Sequence, residues 1–132
     1  MAPYRTLDGY GAEGFDHAVE RGILAVRRAQ EWYPGCQTVV WEYSQGGPVA
    51  VEVSCHIERC LGTLIWCSWG VKPTVIEKGR LAIAHLNSGD PYVDADIAER
   101  SLPGFKVIRH EGGKHSENCE WFWQFFVALD SC

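Results

Sequence analysis

The pattern of apolar and polar positions predicts the elements of this chain, and its most emphatic stretch is CEWFWQFFVAL at 119–129. Read with period two, Trp121, Trp123, Phe125, Val127 and Leu129 share one side, and Phe122, Phe126 and Ala128 the other. Only Glu120 and Gln124 interrupt them. A strand apolar on both sides needs cover on both, so the pattern predicts a central strand of a sheet. Glu117, Glu120 and Asp130 flank it as gatekeeper charges.

Upstream, Phe15, Val19, Gly22, Val26, Ala29 and Tyr33 recur at spacings of three and four and predict a helix from Gly11 or Ala12 to Tyr33, stopped by Pro34-Gly35. Gly22 lies on its apolar stripe, so a bulky neighbour is expected to approach there. Thr38–Ser44 reads as a strand, Gln45-Gly46-Gly47-Pro48 as a turn, and Val49–Glu58 as a second strand. In that second stretch Val49, Val51, Val53, Cys55 and Ile57 alternate with Ala50, Glu52, Ser54, His56 and Glu58. Leu61–Trp69 reads as a third strand, buried on both faces. Residues 71–104 are harder to read. Ile76, Gly79, Ile83 and Leu86 fit a helical stripe, and VIEKGRLAI also fits a hairpin turning at Lys78-Gly79; the helix is preferred. Asp90 as N-cap and Pro91 at the first position open a helix reaching Leu102, and Phe105–His110 forms a strand.

Short turns between consecutive strands imply antiparallel pairing. The expected architecture is a single α+β domain over residues 1–132: a mostly antiparallel sheet of about five strands. A long N-terminal helix and one or two shorter helices pack against it. The layout resembles cystatin-like and NTF2-like cones, a likeness of architecture that implies no activity.

Composition narrows the function classes. Twelve basic and seventeen acidic residues give a net charge of −5, which argues against nucleic acid as a partner; Arg21, Arg27 and Arg28 read as a solvated helix face. No apolar run is long enough for a membrane span, and MAPYRTLDGYG lacks the pattern of a signal peptide, so the expected location is cytoplasmic. There, Cys36, Cys55, Cys60, Cys67, Cys119 and Cys132 are expected as reduced, buried hydrophobes; three disulfides are the alternative for an exported chain. Neither Asn87 nor Asn118 begins a glycosylation sequon.

Four constellations carry candidate chemistry. Gly9-Tyr-Gly-Ala-Glu-Gly14 spells a dinucleotide fingerprint but lacks the preceding strand that the fingerprint needs. His110 and His115, with Glu111, Glu117 and Cys119, gather metal-ligating groups in one polar loop, without the i,i+4 helical spacing of a zinc-protease motif. Ser54, His56 and Glu58 share a face of the expected second strand but stand too far apart for a triad. Asp94 and Asp96 diverge on a helix.

The six tryptophans are the remaining signal. They predict a small-ligand-binding domain whose pocket is walled by Trp41, Tyr43, Trp66, Trp121 and Trp123, with Glu52 or His56 as polar anchor. The ligand expected is small and apolar or aromatic, with no metal and no cofactor. The alternatives are an acidic protein-interaction module (inhibitor, immunity or adaptor type), homodimeric through a sheet face, and an enzyme using a histidine and a carboxylate at the pocket mouth. For the enzyme, His56, His110 and His115 are the residues to replace; no motif fixes a catalytic residue.

Overall fold

The computed structural model describes residues 12–71 and 79–115. The aromatic stretch 119–129, and with it Trp121 and Trp123, lies outside the described residues.

The elements run α1 (Ala12–Trp32), β1 (Thr38–Tyr43), α2 (Gly46–His56), β2 (Cys60–Trp66), β3 (Leu81–Asn87), α3 (Ala95–Arg100) and β4 (Lys106–His110). Among the described residues four strands form one sheet in the order β1-β2-β3-β4, and every pair is parallel. The antiparallel expectation is therefore overturned, although helices and strands both remain.

One element accounts for most of that reversal. Residues 46–56 form a helix, not the second strand of a hairpin. Parallel neighbours require a crossover, and this helix supplies it between β1 and β2. Its alternating valines misled because it is buried on two flanks, which blurs helical periodicity. Ala50 and Val51 pack on Ile65 and Ala84 of the sheet, whereas Val53 and Ile57 pack on Phe15 and Val19 of α1. Pro48 fits the first turn of a helix, where its missing N–H costs nothing. The second correction is at 81–87, which is strand rather than the preferred helix. The third is the start of α3: Asp94, not Asp90, caps it, its carboxylate accepting from the Ile97 N–H.

The first helix, β1, β2 and β4 fall close to their expected positions. Gly22 has the close approach its sequence position implied: a Cβ there would stand 2.7 Å from Val53 Cγ2. Gln30 ties α1 down by donating to Thr38 Oγ1 at 3.0 Å and to the Glu58 carbonyl at 2.6 Å.

Cross-strand register sorts the two sheet faces. Ile65, Ala84 and Val107 line up under α2 and α3. Tyr43, Trp66, His85 and Ile108 form a row on the opposite face, near the carboxyl ends of the strands. Both faces of β2 are buried, as its sequence predicts: Leu64, Ile65 and Trp66 are at most 1% exposed. Cys36 is disulfide-bonded, while Cys55, Cys60 and Cys67 form no disulfide, so the expectation of uniformly reduced cysteines does not hold. Among the described residues no helix is long and apolar enough to cross a membrane.

Candidate functional site

In a parallel sheet the loops leaving the carboxyl ends of the strands converge at one edge, and ligand sites form there. Here those loops bring together Ser44 after β1, Cys67 after β2, Asp90 after β3 and His115 after β4.

Ser44 sits between the last residue of β1 and the first turn of α2. Its φ is 53°, in the left-handed region that a non-glycine residue enters only at some cost. Three backbone contacts hold it there. Its N–H donates to the Trp66 carbonyl at 2.9 Å, and its carbonyl accepts from Gly47 N–H at 3.1 Å and from Ser68 Oγ at 2.6 Å. The glycines that follow permit the tight entry into α2. A Cβ at Gly47 would collide with Ser68 Oγ, and one at Gly46 with the Glu42 side chain.

The Ser44 hydroxyl lies 2.7 Å from His115 Nε2. The other ring nitrogen, Nδ1, lies 2.5 Å from Asp90 Oδ2. The Asp90 side chain is 1% exposed and that of His115 18%. Burial of a carboxylate is tolerated when its oxygens are paired. Asp90 meets that condition, since Oδ1 accepts from Tyr92 N–H at 2.8 Å and Val93 N–H at 3.1 Å while Oδ2 faces the imidazole. Ser44 Oγ, His115 and Asp90 thus form a continuous hydrogen-bonded chain.

His115 is held by its loop. Asn87 donates from Nδ2 to the Lys114 carbonyl at 2.8 Å, Gly89 N–H to the Gly112 carbonyl at 2.9 Å, and Gly112 N–H to Ser88 Oγ at 2.8 Å. Two aromatic rings flank the imidazole, Tyr43 at 4.9 Å between centroids and Tyr92 edge-on at 5.3 Å. Tyr92 is 59% exposed and so faces solvent beside the site.

Below this edge, Trp66 is wholly buried and stacks on His85 at 4.5 Å and on His110 at 5.3 Å. His85 Nδ1 and His110 Nε2 are 2.9 Å apart. Burial, and secondarily the neighbouring His110, lower the pKa of His85 to about 4. Near neutral pH the His85 ring is therefore uncharged.

Of the residues singled out from sequence, Tyr43 and His115 come to this site and Trp66 lies beneath it. Trp41 is 43% exposed on β1. Glu52 and His56 sit one helical turn apart on α2, 3.2 Å from each other, rather than on a strand. Ser54 is buried, and its hydroxyl donates to the Val51 carbonyl at 2.7 Å. From the sequence alone Ser44 reads as a strand end and Asp90 as a helix cap. The signal that points to Ser44 is Ser44-Gln45-Gly46 after an apolar strand, half of the G-x-S-x-G nucleophile pattern, with Glu42 in place of its first glycine.

No family model matches the chain, and no curated protein matches it.

Proposed function

We propose that the chain is a serine hydrolase of the α/β-hydrolase type, acting on carboxylic esters. The observation that carries this reading is the relay from Ser44 Oγ to His115 Nε2 at 2.7 Å and from His115 Nδ1 to Asp90 Oδ2 at 2.5 Å. Each distance is within hydrogen-bond reach, as a nucleophile, its base and the group orienting that base require. The placement supports it independently. The serine occupies a strained strand-to-helix turn, and the three residues follow in the chain order serine, aspartate, histidine.

The chemistry follows from the geometry. Ser44 Oγ attacks the substrate carbonyl while His115 Nε2 takes its proton. The buried Asp90 carboxylate fixes the ring with Nδ1–H toward itself and stabilises the imidazolium. His115 then returns the proton to the departing alkoxide. A water activated by the same nitrogen releases the acyl group from Ser44. The negative charge developing on the carbonyl oxygen is matched by the N-terminus of α2 through the N–H groups of Gln45 and Gly46, since Gly47 N–H is given to the Ser44 carbonyl and Pro48 carries none. The small apolar or aromatic ligand expected from composition becomes a substrate whose departing group lies against Tyr43 and Tyr92.

A competing reading makes Cys67 the nucleophile. It is 0% exposed, however, and Ser44 holds the imidazole contact. The Cys36 disulfide favours an oxidising compartment over the cytoplasm expected from the sequence.

The test is hydrolysis of p-nitrophenyl acetate and butyrate by the purified chain, compared with Ser44→Ala and His115→Ala. Each variant is expected to lose most of the roughly 10⁴- to 10⁶-fold that an intact serine triad contributes to kcat. Retention of the full rate by Ser44→Ala would refute the reading.

A further inference from the structure

We propose that the site also binds a thiophilic divalent cation, of which zinc is the type, through Cys67, Asp90 and His115, and that this binding shuts off hydrolysis. The inhibitory half of the proposal rests on the hydrolase reading; the binding half does not.

One ligand atom from each of the three residues lies within 4.8 Å of the others. Zinc bonds of about 2.0–2.3 Å place neighbouring donors roughly 3.3–3.8 Å apart, so a pair at the 4.8 Å limit must close by about 1.0–1.5 Å, while His115 Nδ1 and Asp90 Oδ2, 2.5 Å apart, must open by about an ångström if both bind. Thiolate, imidazole and carboxylate together form a set suited to zinc, and unsuited to magnesium or calcium, which take oxygen donors.

Two features of the chain fit the role. Cys67 has φ 46°, a second non-glycine residue in the left-handed region at this edge of the sheet, and its N–H is fixed to the His85 carbonyl at 2.8 Å. That conformation ends β2 with the thiol beside the relay, although Ser44 chemistry has no use for a thiol. Asp90 Oδ1 is held by the Tyr92 and Val93 N–H groups, the kind of outer support that orients a metal-ligating carboxylate and leaves Oδ2 to face the ion.

Binding and catalysis exclude each other because both use His115. On coordination the Cys67 thiol gives up its proton to solvent and its sulfur bonds the ion. If the ion takes Nδ1, the ring proton moves to Nε2, which then has no lone pair to accept the Ser44 proton. If it takes Nε2, that lone pair is already donated. Either way the nucleophile loses its base, and removal of the ion restores it.

The experiment titrates the purified chain with Cd²⁺, following the cadmium–thiolate charge-transfer absorption, and with Zn²⁺, following heat. The Cys67→Ser, Cys55→Ser, Cys60→Ser and His115→Gln variants are run in parallel. The absorption is expected in the parent, Cys55→Ser and Cys60→Ser chains and absent from Cys67→Ser. Zinc affinity should fall in Cys67→Ser and His115→Gln by more than the about 10–100-fold that loss of an outer-shell partner costs. Zinc at ten times its Kd should cut the parent's ester hydrolysis about tenfold by mass action, and a chelator should restore it. Absence of the charge-transfer band overturns the proposal, as does a band that survives Cys67→Ser, or zinc affinity unchanged in both ligand variants. Cadmium bound through Cys67 in a chain that hydrolyses no ester would leave the cation site standing and count against the hydrolase reading. Hydrolysis insensitive to zinc would leave the hydrolase reading standing and overturn the inhibitory half of the proposal.

Discussion

Ser44 and His115, 71 positions apart in sequence, meet at 2.7 Å between the hydroxyl oxygen and Nε2. The contact exists because β1 and β4 are parallel members of one sheet and release their following loops at the same edge. Hairpin topology would have sent those loops to opposite edges.

Asp90 is expected to serve both chemistry and the loop that carries it. Asp90→Asn keeps an oxygen for the Tyr92 and Val93 N–H groups but presents the imidazole with the wrong partner. The kcat should fall by about 10⁴-fold with little loss of stability. Asp90→Ala also strands two backbone donors, at a cost of about 1–3 kcal/mol if they stay dry. Steady-state kinetics with urea unfolding of both variants separates the two roles.

How much of this was legible in the sequence differs from element to element. The stripe of α1 predicted a helix by its period, and β1, β2 and β4 read as strands because each is a short run of β-favouring residues bounded by turn or polar residues. Residues 46–56 carried no such contrast. A helix buried against both the sheet and α1 shows apolar side chains over most of its circumference, and valines at alternate positions then imitate a strand. That one misreading turned a crossover into a hairpin and hid the site. Without the crossover, Ser44 leads only into a turn and Asp90 only into a helix cap. The histidine loop was visible as a cluster of ligating groups, but its partners lie in the loops after β1 and β3, far away in sequence.

Gly47 and Gly62 should be intolerant of a side chain. A Cβ at Gly47 meets Ser68 Oγ, and one at Gly62, where φ is 144°, meets the Leu81 backbone. Gly47→Ala is expected to cost about 1–3 kcal/mol by overpacking and to depress kcat by moving Ser44. Gly62→Ala combines a backbone clash with an unfavourable φ and should destabilise more. Chemical denaturation ranks them; parent-like stability of both would show that the turn at Ser44 and the β2–β3 contact have room for a side chain.

Acid should destabilise the fold through His85. Its folded pKa of about 4 lies below the ordinary value of 6.5. The unfolded chain therefore binds more protons between those two values, so stability is full above pH 6.5 and declines as pH falls toward 4. Replacing His85 with Phe should flatten that slope, even if overall stability drops. Thermal melts at half-unit pH steps would show whether it does.

Tyr92 is expected to act on the departing group rather than on the chemistry itself. Its exposed ring stands edge-on to the imidazole that would protonate that group, 5.3 Å between centroids. Tyr92→Ala should lower kcat/KM for phenyl esters several-fold more than for ethyl esters of the same acid, consistent with about 0.5–1.5 kcal/mol for an aromatic pair. Equal loss on both series would instead make Tyr92 a brace for His115.

Ser44 is expected to be an activated nucleophile. A fluorophosphonate probe reports this directly, since it bonds a serine whose proton a neighbouring base removes. Stoichiometric phosphonylation mapped by mass spectrometry to the peptide containing Ser44, abolished in His115→Ala, is the result predicted. A folded chain that takes up no probe, or takes it up at another residue, would contradict the account.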